Sequence, residues 1–291
     1  MKIIILGING MIGSSIFIEL SKNFNLEVLG TLRKVDFKSY FDSNLHKNIL
    51  YFEELNNINL LLDKHKPNII INCIGITKHA REINNIQNSI FVNSIFPHNL
   101  KDVCKNKNIR LIHISSDCVF LGQKGDYKDY DNSDCLDLYG KSKALGEIND
   151  DKSVTIRTST IGHELNSSFG LLEWFLLQKE ECEGYKNAIF SGLTNIELSK
   201  VIMNKIIPNK NLTGIYNVGG NIISKFCLLE IIKSVYKKNI NIKVNKEFVI
   251  DRSLNSNLFC SKTSYYPPSW IVQVEEMYKI YLSRKLSDVK K

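Results

Sequence analysis

Tyr139 and Lys143, four residues apart in Tyr139-Gly140-Lys141-Ser142-Lys143, could together move a proton at a carbon–oxygen bond. A phenol ordinarily titrates near pH ~10 and is a poor acid–base group at neutral pH. An ammonium beside it stabilises the phenolate and brings the pKa toward the working range, which suits proton exchange with a carbinol oxygen. On a helix this spacing puts both groups on one face. Tyr-x-x-x-Lys alone is a common helix-surface pattern, but a candidate third group stands upstream. There the apolar run Leu111-Ile112-His113-Ile114 ends in Ser115-Ser116-Asp117, and a hydroxyl at a strand end can hydrogen-bond the same oxygen.

A second set of residues could hold a cofactor. Gly7, Gly10 and Gly13, with Met11 and Ile12 between them, follow an apolar strand and open an amphipathic helix. Glycines at that junction let the backbone turn tightly and approach a pyrophosphate, which sits on the free N–H groups of the helix. After the second strand the chain reads Gly30-Thr31-Leu32-Arg33-Lys34, with no acid before Asp36. A carboxylate there would receive a ribose 2′-hydroxyl, whereas a guanidinium accommodates a 2′-phosphate, so NADP(H) is favoured over NAD(H), with Arg33 as the contact. The alternative, two solvated cations in a loop of a basic protein, stays open.

These groups need a scaffold, and the hydropathy pattern supplies one. Apolar runs at Ile3–Leu6, Leu26–Thr31, Ile49–Phe52, Asn68–Cys73, Arg110–Ser115 and Val154–Ser159 alternate with helical spacing at Met11–Phe24, Leu55–His65 and Ser89–Lys105. The fold class is therefore α/β, a Rossmann-type doubly wound parallel sheet over residues 1–160. Residues 161–291 read as a smaller α/β substrate subdomain, partly interleaved with the first. Its helices are expected at Gly170–Gln178, Glu197–Ile206, Lys225–Tyr236 and Gln273–Ser283, and its strands at Ala188–Phe190, Ile215–Val218 and Lys246–Ile250.

The residues resemble the extended short-chain dehydrogenase/reductases, and within them the dTDP-4-dehydrorhamnose reductase branch. That branch carries Ser-Thr-Asp-Tyr-Val-Phe, Gly-x-Tyr-x-Glu-x-Asp and Tyr-Gly-x-Ser-Lys-x-x-Gly-Glu in order. This chain reads Ser115-Ser116-Asp117-Cys118-Val119-Phe120, then Gly125 to Asp131, then Tyr139 to Glu147. The resemblance implies that Tyr139 delivers a proton to a ketone oxygen, that Lys143 holds the nicotinamide ribose and depresses the Tyr139 pKa, and that Ser116 orients the carbonyl. Hydride would come from the nicotinamide. Gly75 would approach the adenosine side, and Asn93 would support the active site from its helix. The implied substrate is a dTDP- or UDP-linked 4-keto-6-deoxyhexose, reduced in deoxysugar and surface polysaccharide biosynthesis. A UDP-linked 4-keto-2-acetamido sugar is an alternative, as are an epimerase or dehydratase on the same scaffold and a non-catalytic NADP-binding regulatory subunit. A homodimer is compatible with the resemblance.

The second half departs from the branch. Where relatives have Arg-x-x-Trp the chain reads Arg157-Thr158-Ser159-Thr160, and Cys118 replaces the Tyr, so aromatic surface is lost where a sugar would pack. Cys118 and Arg252 are the expected substrate contacts, Arg252 because a guanidinium suits a diphosphate. His163 and Glu164 read as loop or recognition residues, and Trp174 as core packing or a replacement for the missing Trp.

Composition sets the outer limits. The 38 Lys and Arg against 30 Asp and Glu give +8. They are scattered along the chain, apart from a terminal group (Arg284, Lys285, Lys290, Lys291) interrupted by other residues, so nucleic acid is not the expected partner. Seven cysteines lack zinc-site spacing, so no metal is expected. No apolar stretch is long enough to span a membrane, and a cytoplasmic location is expected.

Overall fold

The computed structural model describes residues 1–78, 81–165 and 167–288, apart from the side chains of 81, 82 and 284–288. The side chains of the basic group at 284, 285, 290 and 291 thus lie outside what is described.

The first half runs β1 (Lys2–Leu6), α1 (Met11–Ser21), β2 (Glu27–Leu32), β3 (Ile49–Tyr51), α2 (Ile58–His65), β4 (Ile69–Asn72), α3 (Ile86–Ile90), α4 (Phe96–Asn106), β5 (Arg110–Ile114), α5 (Leu138–Leu145) and β6 (Ser153–Arg157). The second half adds β7 (Thr160–Ile161), α6 (Leu171–Leu177), β8 (Glu181–Tyr185), β9 (Ala188–Phe190), β10 (Leu193–Thr194), α7 (Asn195–Val201) and β11 (Gly214–Asn217). It ends with β12 (Ile223–Ser224), α8 (Lys225–Val235), β13 (Asn241–Asn245), β14 (Ile250–Asp251), α9 (Asn257–Thr263) and α10 (Trp270–Asp288).

Seven strands form one parallel sheet in the order β11-β6-β5-β4-β1-β2-β3. β1 shows why the apolar runs are unbroken: both faces of a parallel sheet are covered by helices, so every side chain on the strand is buried. Ile3 and Ile5 pack with Ile16, Phe17 and Leu20 on one face, while Ile4 and Leu6 pack with Leu62, Phe96 and Leu100 on the other. Strand order reverses beside β1, between β2 and β4, which opens a crevice at the carboxyl ends of the strands.

The second half returns to this sheet. β11 is its outer strand beyond β6, and α7 packs on α1, where the Ser15 hydroxyl donates to the Asn195 carbonyl at 3.0 Å. A separate core around Leu172, Phe175, Leu228, Ile232 and Trp270 is enclosed by α6, α8 and α10.

The strand expected at Lys246–Ile250 is replaced by β13, which pairs with β8. Pairing there buries Ile242 and Cys182. The Asn245 side chain then accepts from the Glu247 N–H at 2.9 Å and turns the chain, so β14 begins only at Ile250. The expected Ser89–Lys105 helix starts earlier, at Ile86, where Asn85 caps it, and is interrupted by a π turn at Phe91–Ile95.

Candidate active site

The glycine loop takes its shape from its ties to β2. Gly7, at φ +82°, donates its N–H to the Thr31 hydroxyl at 3.1 Å, and the Ile8 N–H donates to the Thr31 carbonyl at 3.1 Å. A Cβ on Gly13 would strike the Gly7 carbonyl oxygen, so α1 can leave this close to the loop only with glycine there. Gly10 is the N-cap and offers no side chain to the first turn, in which Met11 and Ile12 are half-buried. Backbone N–H groups are thus left for an anion at the positive end of α1, which fits the pyrophosphate of a dinucleotide. Arg33 stands exposed immediately past β2, next to the Thr31 ties.

Across the crevice, Gly75 lies against Asn93 and Lys143: a Cβ there would sit 3.3 Å from Asn93 Oδ1 and 3.9 Å from Lys143 Nζ. Asn93 is fully buried in the π turn. Its amide oxygen accepts from the Ile76 N–H at 2.8 Å, while its NH2 donates to the Ile76 carbonyl and the Ser142 hydroxyl, both at 3.0 Å. Its amide is thus taken up by these partners, which tie the loop after β4 to α5.

Ser116 sits at the carboxyl end of β5, where Ser115 and Asp117 extend the pairing to Ile156 and Thr158. Its hydroxyl accepts from the Cys118 N–H at 3.1 Å and donates to Asp117 Oδ1 at 3.2 Å, holding a tight turn over Asp117–Val119. Asp137 caps α5 by accepting from the Gly140 N–H at 2.8 Å. The helix then presents Tyr139 and Lys143 toward that turn.

Lys143 is buried and donates to the Ile114 carbonyl at 2.7 Å. Burial lowers its pKa to about 8, opposed by the charge of Glu147. The Tyr139 phenol is pushed above its ordinary value by burial first, then by Cys118, while a hydrogen bond with Ser116 pulls it down. Burial sets the direction of this shift, and the Lys143 ammonium is engaged by the Ile114 carbonyl. The result is a phenol that keeps its proton at neutral pH, the form a general acid needs.

Glu147 anchors the base of this group. It forms a buried two-point ion pair with Arg157, at 2.9 Å from Nε and 2.7 Å from Nη2, and accepts from the Ser115 hydroxyl at 2.7 Å. Arg252 follows β14 and donates from Nε to the Phe120 carbonyl at 2.9 Å and from Nη1 to the Cys118 sulfur at 3.6 Å. Two separate stretches of sequence, around Cys118 and Arg252, thereby meet beside Ser116. Burial first, then Asp117, holds the Cys118 thiol up at about 12, so it stays neutral.

His163 bonds Glu173 at 2.6 Å and the Tyr236 hydroxyl at 2.9 Å, and Glu164 accepts from the Gly170 N–H at 3.0 Å. Both hold the loop after β7. Trp174, in α6, is partly exposed. Lys225, at the start of α8, faces the Cys118 turn and had no motif to announce it; the available signal was a cation at the end of a helix where a cation is disfavoured.

Residues 1–177, which include the glycine loop, Ser116, Tyr139 and Lys143, match the RmlD substrate binding domain model. The chain belongs to the RmlD substrate binding domain family. It is 31% identical over 173 residues to a dTDP-4-dehydrorhamnose reductase of Aggregatibacter actinomycetemcomitans, covering 58% of this chain and 54% of that protein. It is 26% identical over 146 residues to methionine adenosyltransferase 2 subunit beta of Xenopus laevis, covering 50% and 41%. The matched stretch thus spans about half the length of these curated relatives. Among solved structures, the fold resembles a dTDP-4-dehydrorhamnose reductase from Bacillus anthracis in complex with NADP, with TM-score 0.77, 22% identity and 95% and 98% of the two chains covered. The RmlD match ends at 177, before Lys225 and Arg252, whereas the likeness in fold covers 95% of this chain.

Proposed function

We propose that this RmlD-family protein is an NADPH-dependent reductase of a nucleoside-diphosphate 4-keto-6-deoxyhexose, acting in deoxysugar biosynthesis in the cytoplasm. The observation that carries the reading is the convergence of Ser116, Tyr139 and the buried Lys143 in the crevice next to a glycine-rich helix N-terminus. Residues 1–160 would hold the cofactor and 161–291 the sugar nucleotide. Bound NADPH supplies a hydride to the carbonyl carbon. Tyr139 gives its proton to the carbonyl oxygen, Ser116 hydrogen-bonds that oxygen, and the Lys143 charge stabilises the phenolate left behind. Arg33 receives the 2′-phosphate, and Cys118 and Arg252 line the sugar side.

The curated relatives include both reductases and a methionine adenosyltransferase 2 subunit beta. Retention of Ser116, Tyr139 and Lys143 favours the enzyme. The test is oxidation of NADPH, followed at its absorbance band, with a panel of dTDP- and UDP-linked 4-keto sugars. One member should be turned over, and Tyr139→Phe should slow that turnover about 10²–10⁴-fold while NADPH still binds. No turnover of any member, or full activity in Tyr139→Phe, overturns the reading.

A further inference from the structure

Lys225 is a half-buried ammonium without an ion-pair partner among the described residues. Its nitrogen lies 3.8 Å from the centre of the Phe190 ring. Among the described residues no carboxylate forms an ion pair with it and no carbonyl accepts from it. Burial pulls it below the ordinary lysine value; Asp117 and Cys118 oppose that, while Arg252 adds to it. Its position as the first residue of α8 adds a further cost, since the N-terminal end of a helix repels a cation.

The small sheet that carries Lys225 also carries Arg252. β12 and β14 flank β9, with Ser224 and Asp251 both paired to Ile189 from opposite sides. β12 runs antiparallel and β14 parallel to β9, so Lys225, the first residue of α8, and Arg252 follow their strands in opposite directions; the Lys225 side chain comes back over Phe190, within electrostatic reach of the Arg252 guanidinium. Arg252 spends Nε on Phe120 and Nη1 on Cys118, and its remaining N–H groups have no acceptor among the described residues. Two cations on a half-buried surface repel each other and lose hydration, so the arrangement calls for an anion between them. Cys118 stands between this pair and Tyr139, touching Arg252 on one side and acting on the phenol on the other.

We propose that Lys225 is a substrate-specificity residue whose ammonium joins the Arg252 guanidinium on the diphosphate of the nucleotide sugar, with Phe190 as the apolar floor. This rests on the reductase reading for its choice of ligand, but its test does not need turnover. Calorimetric titration of the NADPH-loaded protein with dTDP, UDP and the matching monophosphates is the measurement. One diphosphate should bind more tightly than its monophosphate. Lys225→Met, which keeps the packing on Phe190, should weaken the diphosphate at least about tenfold and the monophosphate much less, and Lys225→Arg should restore most of the difference. The NADPH affinity and unfolding midpoint of Lys225→Met should not fall, which separates a lost contact from a damaged fold. Equal diphosphate binding by wild type and Lys225→Met overturns the proposal, as does a wild type that binds neither diphosphate. Diphosphate binding that depends on Lys225 without reduction of any keto sugar would sustain this inference and remove the reductase reading.

Discussion

Lys143 is held against its own solvation: it is buried, its hydrogen-bond partner is the Ile114 carbonyl, and its pKa lies at about 8 rather than 10.5. Below pH about 8 the ammonium is charged in both folded and unfolded chains, so its burial counts fully against the fold. Between about 8 and 10.5 the folded chain sheds the proton while the unfolded chain keeps it, and stability rises with pH across that window. Lys143→Met removes the buried charge and orphans one carbonyl, so at pH 7 it should stabilise the fold by roughly 2 kcal/mol. Turnover should be lost. Denaturant unfolding at pH 7 and 10 checks this; a less stable Lys143→Met at pH 7 would sink it. In the wild type the same titration should lower kcat for reduction above pH about 8, where the phenolate loses its stabilising charge. Of the candidate groups at this scale, Tyr139 and Lys143 were legible because their spacing is local, and Ser116 because it ends an apolar run. The direction of the Tyr139 shift was not, since burial is a property of the folded chain.

At the scale of elements, the tightest constraint is the approach of α1 to the glycine loop. A methyl group on Gly13 would collide with the Gly7 carbonyl, whereas one on Gly10 would meet the same oxygen at an ordinary 3.8 Å. Gly13→Ala should therefore shift the loop, weakening NADPH at least about tenfold and destabilising the fold by about 1–3 kcal/mol. Gly10→Ala should leave stability almost unchanged. Fluorescence titration with NADPH and thermal unfolding of the two variants decide it, and equal behaviour would refute the steric account. The long strands were readable as apolar runs because a parallel sheet buries both faces. Two-residue strands such as β7, β10 and β12 carry no such run. The π turn at Phe91–Ile95 was hidden inside a continuous helical pattern, because what selects it is tertiary: Asn93 reaches Ile76 and Ser142. Lys225 escaped notice for the same reason, as its neighbours come from β9, β14 and the Cys118 turn.

For the whole molecule, length suggested two units, but the contacts tie them into one. β11 hydrogen-bonds along β6, α7 buries the Ser15 face of α1 with Ser199 bonded to Ser15 at 3.0 Å, and Leu193, Leu198 and Ile202 share a core with Ile3 and Phe17. Arg110 reinforces the join by donating to the carbonyls of Ile206, Ile207, Asn209 and Leu212. A fragment of residues 1–160 would leave an unpaired β6 edge, an uncovered apolar face on α1 and a buried-type arginine without its acceptors. Exposed apolar faces and strand edges favour association over folding. The fragment should therefore aggregate or unfold without cooperativity, while the full chain melts in one transition in which near- and far-ultraviolet circular dichroism coincide. A soluble fragment with a sharp unfolding transition of its own would show that the cofactor half folds independently, and would make the crevice a junction between two domains.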